Sequence, residues 1–180
     1  LSSRDLDLVG GFISEFDRTP GDMASVREVP LEREDIVAFA KRRNPFNHVS
    51  VMFRRPAVLA AGGYRDVHLL EDYDLWVRML MNGCACANIP RVVVDVRTGA
   101  GMYARRSSLR YLKEQWRFFG RLHSQGFVSR GQAAAALAAR SATSPPRLRP
   151  NRAVRPASTK GQASAASSTA SRSAISVITD

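Results

Sequence analysis

Glu71-Asp72-Tyr73-Asp74-Leu75-Trp76, preceded by the turn Gly62-Gly63-Tyr64, is where the chain commits to an architecture. Leu75, Trp76, Met79 and Leu80 recur at helical spacing, so a helix is predicted over Asp72 to Asn82, with Gly83 as its stop. Three carboxylates in the first turn suit the helix dipole and its free N–H groups. A helix start accounts for these acids without any chemistry, so their surroundings must argue for more.

Upstream, Leu6 to Phe16 is rich in strand formers, and its pair Gly10-Gly11 predicts a bulge or a close backbone approach. Asp17 to Asp22 reads as a turn around Pro20-Gly21. Glu32 to Arg43 reads as a helix with Ile36, Val37, Phe39 and Ala40 on its apolar face, ended by Asn44-Pro45. Val49 to Phe53 is predicted as a short strand, and Pro56 to Ala61 as one or two helical turns stopping at Gly62. Downstream, Cys84 to Ile89 and Val92 to Val96 read as two extended pieces split by Pro90. Gly99-Ala100-Gly101 links them to a long amphipathic helix over Ser107 to Gln125, with Leu109, Leu112, Trp116, Phe119 and Leu122 on its apolar side. Gln132 to Arg140 is alanine-rich and helical.

The 180 residues suffice for one domain with a core, and 44% of them are hydrophobic. The net charge is +11 and concentrates late: from Arg130 on, eight basic residues face the single acid Asp180. After about Ser144 the sequence turns to Ser, Ala, Thr and Arg with almost no large apolar side chain, and a disordered tail over 144–180 is expected. Cys84 and Cys86 face one side of an extended segment; with no His nearby they read as buried thiols, not a zinc site. No apolar run reaches membrane-spanning length and no signal-peptide pattern opens the chain. A start at Leu1 leads us to expect a fragment.

Taken in order, Pro45-Phe46-Asn47-His48, Val51-Met52-Phe53, Gly62-Gly63-Tyr64 and Glu71-Asp72-Tyr73-Asp74-Leu75-Trp76 resemble the C-terminal, acceptor-side portion of family 2 glycosyltransferases. The nearest kin by this pattern are bacterial enzymes of exopolysaccharide and O-antigen synthesis, of the amylovoran type. Asn88-Ile89-Pro90, Val96-Arg97, Gly101-Met102 and Arg105-Arg106 extend the likeness, which covers roughly Asp5 to Gln132. The resemblance implies an α/β fold, a partial GT-A domain over 1–143 with a Rossmann-like mixed sheet and without its nucleotide-binding half. It implies an inverting hexosyl transfer from a nucleotide-sugar donor to a glycan or lipid-linked acceptor in cell-surface polysaccharide synthesis. Asp72 would be the catalytic base, with Glu71 as its neighbour; Asp74 is assigned only a capping role. His48 and Tyr64 would meet the substrates, and Arg97, Arg105 and Arg106 the diphosphate, for which guanidinium forks are suited. Trp76 is expected in the core. The place implied is the cytoplasm, with a peripheral contact at the inner face of the plasma membrane.

The family's Mg²⁺ or Mn²⁺ is held by an Asp-x-Asp motif that ends an apolar strand. Asp5-Leu6-Asp7 precedes a strand and Asp72-Tyr73-Asp74 opens a helix, so both read as chance matches and no metal ligand is assigned in this chain. By itself the chain is therefore expected to be inactive. Two other readings stay open on the residues alone. One is a non-enzymatic basic module for RNA or anionic surfaces, although no specific nucleic-acid signature is present. The other is a truncated, non-functional gene product.

Overall fold

The computed structural model describes residues 5–98, 109–142 and 176–177. They form a mixed α/β domain built on an open sheet. At its centre lies β1 (Leu8–Phe16), paired in parallel with β4 (Cys86–Arg97). The other edge of β1 carries two short antiparallel partners: β3 (Met52–Phe53) beside Leu8 and Val9, and β2 (Ser25–Arg27) beside Ile13 to Glu15. Of the stretch 144–180, only β5 (Ser176–Val177) is described; it pairs in parallel with Asp95 and Val96.

Gly10 and Gly11 sit where close approach is needed. A Cβ on Gly10 would overlap the Asn88 side chain and press on Phe46; one on Gly11 would meet Val93 Cγ2 at 2.9 Å. The ladder also slips here, with register shifts on either side of Phe12. The slip corrects one expectation. Pro90 does not divide the segment: β4 runs through it, and Pro90 and Arg91 bulge out between the pairs Gly11–Ile89 and Phe12–Val92. A residue without an N–H is tolerated where the ladder needs none.

Between β3 and β2 the edge of β1 is filled by side chains. Gly11 N–H donates to Ser50 Oγ at 3.1 Å, and the Gly11 carbonyl accepts from Asn47 Nδ2 at 2.9 Å. These residues flank a single 3₁₀ turn, His48–Ser50, so the strand predicted over Val49 to Phe53 shortens to Met52–Phe53. Asn88, wholly buried, donates to the carbonyls of Pro30 (2.6 Å) and Pro45 (3.2 Å), tying both proline turns to β4.

The helices are α1 (Arg33–Ala40), α2 (Arg55–Ala60), α3 (Glu71–Met81), α4 (Leu109–Ser124) and α5 (Arg130–Ala142). Every residue of α3 from Tyr73 to Leu80 is buried, so this helix is enclosed on all sides. It ends as predicted, with Gly83 at φ +79° and Cys84 N–H donating back to the Met79 carbonyl at 3.1 Å. Its neighbours in the core include Leu8, Ile36, Phe46, Phe118, Phe119 and Leu122. Burying each such side chain contributes about 1.5–3 kcal/mol. Cys84 and Cys86 are free and buried; a hydrogen bond to Cys86, reinforced by burial, pushes the Cys84 thiol up.

On α4 the predicted Phe119 and Leu122 are buried, but Trp116 is not. Gln115, Phe118, Phe119 and Leu122 face the core, and Trp116 is 66% exposed. Buried Gln115 lies on the inward side, and its Oε1 accepts from Arg140 of α5 at 3.2 Å. Among the described residues no helix is long and apolar enough to cross a membrane.

Candidate active site at the start of helix α3

Leu70 precedes α3 without a side-chain cap, so the N–H groups of the first turn are open to other partners. Asp72 supplies one: its Oδ1 accepts the Tyr73 N–H at 2.7 Å, while Oδ2 accepts Asn44 Nδ2 at 2.7 Å. Asn44 is itself oriented, since its Oδ1 accepts the Phe46 N–H at 3.2 Å. Asp72 is thus half-buried, fixed at two oxygens, and still reachable from solvent. Glu71, beside it, is exposed. The turn that delivers them holds Leu69 at φ +60°, a left-handed conformation that costs a non-glycine residue about 1–2 kcal/mol.

Aromatic rings crowd the same spot. Trp76 is fully buried, and around it stand Phe46 and Phe53 at 6.0 Å and His48 and Tyr64 at 6.4 Å between ring centres. His48, Phe53 and Tyr64 are exposed on their outer sides. Burial, and then the charges of Asp72 and Glu71, raise the Tyr64 phenol above its ordinary range. Asp72 and Glu71 open α3, and His48 and Tyr64 stand against Trp76, one turn further along the same helix. Arg97 lies elsewhere: it pairs with Phe16 at the far end of β1, whereas Phe53 pairs with Leu8 at the near end, roughly 25 Å away along the strand. There its guanidinium lies over the Phe16 ring and donates to the Arg18 carbonyl at 2.9 Å. Arg105 and Arg106 lie outside the described residues.

Asp74 is not a cap. It is buried and forms an ion pair with Arg78 at 2.8 Å, one helical turn on. Arg78 also donates to the carbonyls of Ala61 and, at 2.7 Å, Gly63. The pair fastens the Gly62-Gly63-Tyr64 turn to the helix bearing Asp72, so the two motifs are one structural unit. Sequence reading missed Asn44, Arg78 and Phe53. Asn44 was legible only as a helix breaker, and the targets of Arg78 lie 15 to 17 residues upstream. Beyond Asn44 lies a hollow of about 230 Å³ lined by Arg27, Phe39 and Arg43, among others.

Neither Asp-x-Asp pair is arranged for a metal. Asp5 bonds Arg54, Asp7 accepts the Ala85 N–H at 3.0 Å, and Asp74 is committed to Arg78. Among the described residues no group of three or more His, Cys, Asp or Glu side chains is set to hold one.

A carboxylate held this way, open to an aromatic-walled rim, is suited to accept a proton from a bound hydroxyl. The chain is 39% identical over 125 residues to an uncharacterized glycosyltransferase of Haemophilus influenzae, a match covering 68% of this chain and 46% of that relative. The chain is homologous to bacterial glycosyltransferases. It is also 36% identical over 119 residues to the Escherichia coli UDP-Gal:alpha-D-GlcNAc-diphosphoundecaprenol beta-1,3-galactosyltransferase, covering 64% of this chain and 43% of that enzyme. With the amylovoran biosynthesis glycosyltransferase AmsE of Erwinia amylovora it shares 36% identity over 124 residues, covering 67% of this chain and 46% of the relative. The chain thus spans less than half the length of these relatives. No family model matches it, and no solved structure gives a significant match.

Proposed function

We propose that this chain is the acceptor-side portion of a family 2, GT-A-type inverting glycosyltransferase of cell-surface polysaccharide synthesis. In this reading a hexose passes from a nucleotide-sugar donor to a glycan or lipid-linked acceptor at the cytoplasmic side of the membrane. Asp72 takes the proton of the acceptor hydroxyl as its oxygen bonds to the anomeric carbon and the bond from that carbon to the nucleoside diphosphate breaks. Asn44 positions Asp72, and His48 and Tyr64 line the acceptor approach. Glu71 supports the same rim. No residue described here is assigned to the donor pocket or to its Mg²⁺ or Mn²⁺.

The observation that carries the reading is the doubly bonded, half-buried Asp72 carboxylate among exposed rings. Its homologues, bacterial glycosyltransferases by name, support the chemistry. In an enzyme carrying the complete donor half, Asp72→Asn should abolish transfer while donor binding persists. Asn44→Ala should lower kcat with the acceptor KM little changed. Transfer retained by Asp72→Asn removes Asp72 as the base.

A further inference from the structure

We propose that the outer face of α4 docks on an anionic lipid bilayer, with Trp116 as the anchor. At 66% exposure Trp116 is the most exposed aromatic ring among the described residues. The indole faces solvent while the opposite stripe of the helix is packed, which leaves an amphipathic ring free for contact. Its surroundings have one chemical character. Lys113 lies one turn before it, Arg117 next to it and Arg121 beyond, all exposed. Glu114, the only acid on α4, is engaged by Arg117 at 2.8 Å and is mostly buried. Gly120, one turn after Trp116, has open space where a side chain would stand. Glycine there costs the helix about as much as it would at any exposed interior position and packs against nothing, yet it clears the surface around the indole.

An amphipathic ring bordered by long basic side chains is the pattern of a helix lying in a membrane interface. The indole sits at headgroup depth, and the ammonium and guanidinium groups meet lipid phosphates. A single-stranded nucleic acid would instead call for several rings interleaved with the basic residues, and the other rings of α4 point inward. The inference rests on the proposed place of transfer at the membrane and names the surface that meets it; it does not depend on the role of Asp72.

The test uses the whole chain and vesicles of phosphatidylglycerol with phosphatidylethanolamine, compared with phosphatidylcholine alone. Trp116 emission should shift to the blue on the anionic vesicles and be quenched by brominated lipid, with buried Trp76 unaffected. Trp116→Ala should weaken partition about tenfold. Lys113→Gln and Arg121→Gln should each weaken it about fivefold, as expected for one basic contact with an anionic surface. These positions are exposed, so the variants keep the fold; Trp116→Phe, which retains a ring, should fall between wild type and Trp116→Ala. Three results would overturn the proposal: vesicle binding with Trp116 emission unmoved, which would mark the arginine-rich C-terminal stretch as the contact; an equal shift with polyuridylate; or burial of Trp116 by self-association without lipid.

Discussion

Replacing Arg78 with methionine tests how the Gly62-Gly63-Tyr64 turn is held to α3. Methionine keeps most of the aliphatic stem and removes the guanidinium. Asp74, only 6% exposed, would then be a carboxylate without its partner, and breaking a buried ion pair in this way costs about 3–5 kcal/mol. The carbonyls of Ala61 and Gly63 would also lose their donor, adding about 1 kcal/mol each where water cannot replace it. These contributions share one side chain and do not simply add, so we expect a loss of about 5 kcal/mol, against a typical domain stability of about 5–15 kcal/mol. Urea unfolding followed by circular dichroism reads the loss directly. The double variant Asp74→Leu/Arg78→Met should recover about half of it, because apolar side chains in place of both ions leave no unpaired charge. A loss below about 1 kcal/mol for Arg78→Met, or no recovery in the double variant, would refute the idea that this pair joins turn and helix.

Gly10→Ala should destabilise by about 1–3 kcal/mol, because its methyl group overlaps Asn88 and presses on Phe46; an unchanged urea midpoint would count against the close approach. In Asp72→Asn the Tyr64 phenol should titrate at lower pH than in wild type, since one of the negative charges holding it up is gone; ultraviolet absorbance at alkaline pH measures this, and no change would separate Tyr64 from Asp72. Asp22 accepts the N–H groups of Arg18, Asp17 and Thr19, which hold its carboxyl below the usual range. A depressed folded-state value contributes stability that is full above the unfolded value, about pH 4, and is lost as pH falls through the lower folded one. The Tm gap between wild type and Asp22→Ala should therefore close on acidification below about pH 4; a gap that persists down to about pH 2 contradicts the assignment.

What the chain announces in advance is what depends on neighbours in sequence. The helix over Glu71–Met81 and its Gly83 stop follow from spacing and from one glycine, both local signals. Gly10-Gly11 was legible for a similar reason: two glycines inside a run of strand formers point to a bulge or a close approach, and β1 has the close approach while the bulge opposite it is carried by β4. The misreadings concern distant partners. Trp116 counts as apolar on any periodic reading, but the side of α4 that faces inward carries Gln115, Phe118, Phe119 and Leu122, and Gln115 meets its donor on α5. Asp74 looks like any first-turn acid until Arg78 and the carbonyls upstream are seen together. Arg97 fits a motif, yet its separation from Asp72 follows from strand register, which no residue encodes alone. Glu71 adjoins Asp72 in sequence, whereas Asn44 reaches Asp72, and Phe53 reaches Trp76, only through tertiary contacts.

The Gly11 peptide has a consequence for how this protein meets other copies of itself. Unpaired backbone along a sheet edge is an invitation to strand addition from a second chain. Here Asn47 and Ser50 already occupy that position, and the Ser50 hydroxyl is locked in turn by the Asn47 carbonyl at 2.7 Å. An intruding strand would find no donor or acceptor free at Gly11 and would have to evict two side chains before pairing. The same two residues bracket His48, so its loop is pinned at both ends to the central strand and follows the sheet rather than swinging independently.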